Sequence, residues 1–180
     1  MFGDLGHQTR HAGFALKLHQ RAWALERGIE KITWTFDPLV RRNGYFNIAK
    51  LGVRVVEYLP NFYGEMLDRV NAGDQSDRML VEWPLIAPTP VDDPPVPERH
   101  AATVLEVAAD GRPRRLPWRS AEALVCVPAD IERLRVERPG AAREWRLALR
   151  AELGGLLGVG GRVTGFSAAA GYLVANGELD

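Results

Sequence analysis

Two residues in the first half of this chain are best placed for acid–base work. Tyr63 stands in N-F-Y-G, a turn after an apolar strand, where a phenol can point into a cleft and act as general acid. Glu82 alternates with Val81 and Trp83 in R-M-L-V-E-W, and on the cleft face of that strand it would be a base. Tyr45 and Tyr58 compete for the first role. Asp37 competes for the second, although a residue directly before Pro38 already has work as a helix cap. A third feature suits an anion. R-H-A-G-F-A, residues 10–15, opens a patterned helix without the Ser, Thr, Asp or Asn that normally satisfies the first amides. Unspent amides, a glycine and the positive end of a helix together suit phosphate or pyrophosphate. The segment matches neither G-x-x-x-x-G-K-[ST] nor G-x-G-x-x-G.

Other chemistry finds less support. Cys126 is the one cysteine, set in the apolar run A-L-V-C-V-P, and reads as a core thiol in a reducing cytoplasm. His7 and His11 are four apart, but no carboxylate or cysteine completes a metal set, so no metal is expected. Trp34, Trp83 and Trp145 read as core. Arg112, Arg114, Arg115 and Arg119 read as a solvated hairpin edge. The formal net charge is zero, which does not favour a nucleic-acid or acidic-membrane binder. No apolar run reaches the ~18 residues of a membrane span, and no signal peptide is evident. Arginine outnumbers lysine 20 to 3, the composition of a GC-rich bacterial genome.

The elements that must position these residues follow from periodicity. Ala15, Leu18, Ala22 and Leu25 recur on one face of a helix predicted over 13–27, stopped by Gly28. K-I-T-W-T-F (31–36) is a strand. Asp37-Pro38 is expected to cap and start a second helix running to about Leu51. Strands are expected at 53–59 and 78–86, with a short helix between them in E-M-L-D-R-V-N-A-G. Residues 87–99 are a proline-rich linker. Beyond it come a hairpin around Asp110-Gly111, a strand at 123–127, a helix from Pro139 to about Leu157 and two closing strands. The sequence therefore divides into an α/β core (1–86), the linker, and a smaller α/β lobe (100–180).

Several segments, in order, carry a family likeness. R-H-A-G-F-A resembles the Q/R-x-x-G-x-G/A acyl-CoA signature of the GNAT N-acetyltransferase superfamily. T-W-T-F-D-P-L (33–39), R-N-G-Y-F-N-I-A-K-L-G-V (42–53), Y-L-P-N-F-Y-G (58–64) and D-R-M-L-V-E-W (77–83) are similar to a bacterial family of predicted GNAT acetyltransferases. The resemblance covers residues 1–86; beyond them only P-A-D-I-E-R-L and a W-R-x-x-x-R helix agree.

It implies a GNAT-like mixed sheet flanked by helices and transfer of acetyl from acetyl-CoA to an amine by direct attack. Arg10, His11, Ala12, Gly13, Phe14 and Ala15 would cradle the CoA pyrophosphate. The amides of Asn43 and Asn47, four apart, would meet pantetheine or the acetyl oxygen. Two departures from the family pattern matter. The chain begins almost at the CoA loop, so strands the family places earlier are missing from it. Ile48 occupies the place where many relatives put a Tyr general acid, which leaves Tyr63 and Glu82 as candidates. Both departures keep a second reading open, a catalytically inactive remnant or protein-interaction module. The exposed edge of an incomplete sheet would invite a homodimer, or pairing with the C-terminal strands.

Overall fold

The computed structural model describes residues 5–64, 75–87 and 101–175, with side chains from Ala12 onward in the first stretch. Helix α1 (Leu5–Leu25) leads through a turn at Gly28 into strand β1 (Lys31–Phe36). Helix α2 (Arg41–Gly44) widens into a π-helical stretch over Tyr45–Lys50. Its end is marked by Leu51 N–H bonding the Phe46 carbonyl, five residues back, at 3.0 Å. Gly52, in the left-handed conformation, turns the chain into β2 (Arg54–Leu59). Strand β3 (Arg78–Pro84) runs back between β1 and β2, so the first sheet is antiparallel in the order β1-β3-β2. Alternation makes it two-faced. Phe36, Tyr58, Met79, Val81 and Trp83 are buried, while Lys31, Thr33 and Arg54 face solvent.

The second sheet comprises β4 (Ala102–Val107), β5 (Pro113–Arg115), β6 (Glu122–Cys126), β7 (Arg162–Phe166) and β8 (Gly171–Ala175). Its order is β5-β4-β6-β8-β7, with β4 and β6 parallel and the other pairs antiparallel. Helices α3 (Ile131–Glu137) and α4 (Pro139–Leu149) follow β6, and α4 continues through a π-helical stretch (Arg150–Gly154) into α5 (Gly155–Gly158). This is a mixed α/β protein with two sheets. A single apolar cluster runs through both, from Phe36, Tyr58 and Trp83 to Trp145, Phe166 and Tyr172.

Several sequence expectations hold, and four need correction. The hairpin forms where Asp110-Gly111 placed it: Gly111 takes positive φ and the Asp110 carboxylate accepts from the Arg112 amide at 3.0 Å. The helix from Pro139 and the two closing strands also form. The first correction concerns α1, which starts eight residues before Gly13; nothing in Leu5–Ala12 stops a helix, and a lone glycine costs only about 1 kcal/mol there. Secondly, its inward stripe is Phe14, Lys17, Arg21 and Ala24, one residue out of step with the expected Ala15, Leu18, Ala22 and Leu25, all of which are exposed. Thirdly, Asp37-Pro38 makes a turn before the helix. Asp37 accepts from the Leu39 amide at 3.0 Å, and the Tyr172 hydroxyl holds the Pro38 carbonyl at 2.7 Å, so α2 starts only at Arg41. Finally, the closing strands pair with β6 and each other and contribute nothing to the first sheet. The short helix expected in 65–73, the start at 1–4 and all but the first residue of the linker lie outside the described residues.

Candidate functional site

The π-helical stretch after α2 turns Asn47 inward, buried beneath β1. Its carbonyl oxygen accepts from the Trp34 indole N–H at 3.1 Å, and its NH₂ donates to the Asn43 carbonyl at 2.9 Å. Trp34 in turn meets Trp83 edge-to-face, with ring centroids 6.1 Å apart. Over the other part of the Trp34 ring lies the Lys17 ammonium, 3.9 Å from the centroid. Burial lowers the Lys17 pKa, and its one hydrogen bond described is to Gln20 at 3.1 Å. This corner joins α1, β1 and α2. π-helical turns are frequent at functional sites, and this one aims an amide at an indole.

A second polar cluster lies under the opposite edge of the sheet. Asp77, fully buried, accepts from the Tyr58 hydroxyl at 2.7 Å and the Asn61 amide at 2.9 Å. The Arg150 guanidinium adds a two-pronged pair at 2.6 and 3.0 Å. Burial alone would raise the Asp77 carboxyl. Hydrogen bonds from Arg150, the Asn61 amide and Tyr58 outweigh it and hold the pKa below the ordinary carboxylate value. Burial, reinforced by the Asp77 charge, pushes the Tyr58 phenol far up, so it stays protonated and is no acid at neutral pH. Asp37 forms a parallel link: Arg135 bonds its carboxylate at 2.6 Å, and Arg146 approaches it at 3.6 Å. Three arginines of α3 and the α4 region thus hold two aspartates of the first sheet's connections.

The candidates from sequence are not brought together. Tyr63 is exposed beside Phe62, ring centroids 4.8 Å apart, with the Arg78 guanidinium 5.0 Å from its ring. Glu82 lies four residues along β3 from Arg78, about 13 Å at strand rise, and is bonded by Lys31 at 2.9 Å. Arg10 through Ala15 lie within α1, where each amide is spent on the carbonyl four residues before it. Gly13 is exposed with open space where a Cβ would stand. In this form the segment offers no amides to a pyrophosphate, which corrects the expectation of a helix start at Gly13. Asn47 is committed to Trp34, and Asn43 is half-buried one turn before it. Lys50 lies 5.5 Å from the Tyr45 ring. His7 and the His11 side chain fall outside the described detail.

The remaining groups serve the fold. Cys126 is half-buried, on the face of β6 opposite the buried Ala123 and Val125, so it is not the core thiol expected; the burial it has raises its pKa. Arg112, Arg114 and Arg115 stay more than half exposed, the solvated edge expected, and are ion-paired to Glu144, Glu106 and Glu152. Among the described residues no group of three His, Cys, Asp or Glu could hold a metal, and no helix is long and apolar enough to cross a membrane. The aspartate–arginine links were missed in sequence. The one available signal was the i, i+4 spacing of Arg146 and Arg150 on the apolar face that carries Trp145 and Leu149. No family model, curated protein or solved structure matches this chain.

Proposed function

We propose that this chain is a GNAT-like acyl-CoA-binding protein whose reaction is transfer of acetyl from acetyl-CoA to an amine. The observation that supports the reading is mutual engagement of the family-like segments. T-W-T-F (33–36) meets the 42–53 run through Trp34 and Asn47. Y-L-P-N-F-Y-G (58–64) meets the 77–83 run through Tyr58, Asn61 and Asp77. Segments chosen by sequence likeness alone thus meet in two pairs, which the β1–β3 ladder joins.

In the reaction, the amine nitrogen attacks the thioester carbonyl carbon; the N–C bond forms, the C–S bond breaks, and the amine proton passes to a base. Glu82 is the base of this reading, since its carboxylate lies on the polar face of the sheet, where Lys31 bonds and orients it. The thiolate leaves without an acid, which its own pKa permits, so Tyr63 is not required. The amides around Gly13 become donors only when the turns before Gly13 unwind and a helix starts there.

One observation favours a second reading, an interaction module without catalysis. Asn47, Tyr58 and Asp77 are satisfied within the fold, and the amides of 10–15 are spent inside α1. Calorimetry of acetyl-CoA against the 180-residue chain separates the two. The acetyl-CoA reading expects micromolar binding that Gly13→Asp abolishes. A folded chain that binds nothing leaves the interaction module.

A further inference from the structure

The two sheets have four edge strands, and three of them are blunted against further pairing. β2 carries a register shift between Val55 and Glu57 and lies against the second sheet. β5 is three residues long and begins with Pro113. β7 shifts register between Val163 and Gly165. These are ordinary protections of a sheet edge. β1 has none of them. It is six residues long, pairs with β3 in unbroken register from Lys31↔Pro84 to Phe36↔Met79, and has no second neighbour among the described residues.

Exposed apolar surface gathers at the same place. Leu16, Leu18, Trp23, Leu25, Ile29 and Ile86 all stand on α1 or on the turns beside β1, each 39% to 68% exposed. They flank an inward stripe that buries only Ala24 fully, so α1 is apolar on more sides than the molecule covers. A helix of that kind is normally buried on several sides. Leu16 and Trp23 stand on one flank of α1, and Leu18 and Leu25 on the other.

We propose that this edge is a self-association surface: two copies pair β1 to β1 antiparallel about a two-fold axis through Thr33, forming a six-stranded sheet flanked by both α1 helices. The strand is complementary to itself in that register. Lys31 faces Thr35 of the partner subunit, and Ile32 faces Trp34 of the partner subunit, so no like charges stand opposite one another. The polar face of Lys31, Thr33 and Thr35 stays polar across the axis, and the apolar face of Ile32, Trp34 and Phe36 stays continuous. A formal net charge of zero adds no overall repulsion between copies. The proposal is independent of acetyl-CoA binding.

Thr33→Lys tests it selectively. Within one subunit the new lysine stands directly opposite Glu82, an acceptable neighbour, but at the axis it faces its own copy. Analytical ultracentrifugation across a concentration series is the readout, with thermal midpoints to confirm folding. The expected result is a wild-type dimer whose dissociation constant rises at least about tenfold in the variant, at an unchanged midpoint. Amide exchange of residues 31–36 in the wild type, slowed on concentration, gives the same answer without any substitution. A wild type that stays monomeric at high concentration would overturn the proposal, as would a dimer that Thr33→Lys leaves unchanged. Concentration-independent protection of 31–36 would overturn it in favour of a segment of the same chain.

Discussion

Asp77 is the residue on which the joint between the two sheets most depends. It is fully buried, and its partners come from β2, the turn after it and the π-helical stretch of the second half. Asp77→Asn removes the charge but keeps the shape, leaving Arg150 and the Tyr58 hydroxyl without their anion. We expect a loss of about 3 kcal/mol, read as a lower denaturation midpoint. The pH dependence has a definite sign. The Asp77 carboxyl titrates below its unfolded value of about 3.9, so its contribution is complete above about pH 5 and is lost as pH falls through the folded pKa. Asp77→Asn should therefore flatten the acid limb of the stability–pH curve and leave neutral pH behaviour lower but parallel. Of this, the sequence shows only the i, i+4 spacing of Arg146 and Arg150. No local spacing joins Asp77 to Arg150, 73 residues away, and only tertiary pairing makes the carboxylate internal. Tyr63 and Glu82 were legible as residues on a turn and a strand, but their separation along β3 follows from register, which no single segment encodes.

At the level of elements, strands were read more faithfully than helix starts. β-branched and aromatic alternation in 31–36 and 78–84 marks two-faced strands, and Asp110-Gly111 marks its own turn. α1 misled because apolar residues occur on several of its flanks, so two stripes one residue apart both looked inward; Trp34 selected the one carrying Lys17. Asp37-Pro38 misled because its carboxylate and carbonyl are claimed by Arg135 and Tyr172, which lie more than ninety residues away. Gly13 now stands inside a helix with open space around it, so Gly13→Ala should stabilise α1 by about 0.5–1 kcal/mol. Circular dichroism and the thermal midpoint check that. The same substitution should weaken acetyl-CoA binding by about fivefold, because it opposes the unwinding that frees the cradle amides. Stabilisation without any effect on binding would place the ligand elsewhere.

On the scale of the whole molecule, the first sheet draws its strands from residues 31–84 and the second from 102–175, while one apolar core passes beneath both. The two halves are joined by Asp37 and Asp77 to arginines of the second, and by Tyr172 to Pro38. Within this frame Trp34 meets Asn47 and Tyr58 meets Asp77, and among the described residues the β1 edge has no second strand beside it. A ligand that needs a helix start at Gly13 must therefore act on the least covered element. Hydrogen exchange along the chain, with and without a large excess of acetyl-CoA, tests this most directly. With acetyl-CoA bound, exchange is expected to be faster in the turns before Gly13 and slower across 31–51, where Trp34 and Asn47 meet. Identical exchange in both segments, in a folded chain, would contradict it.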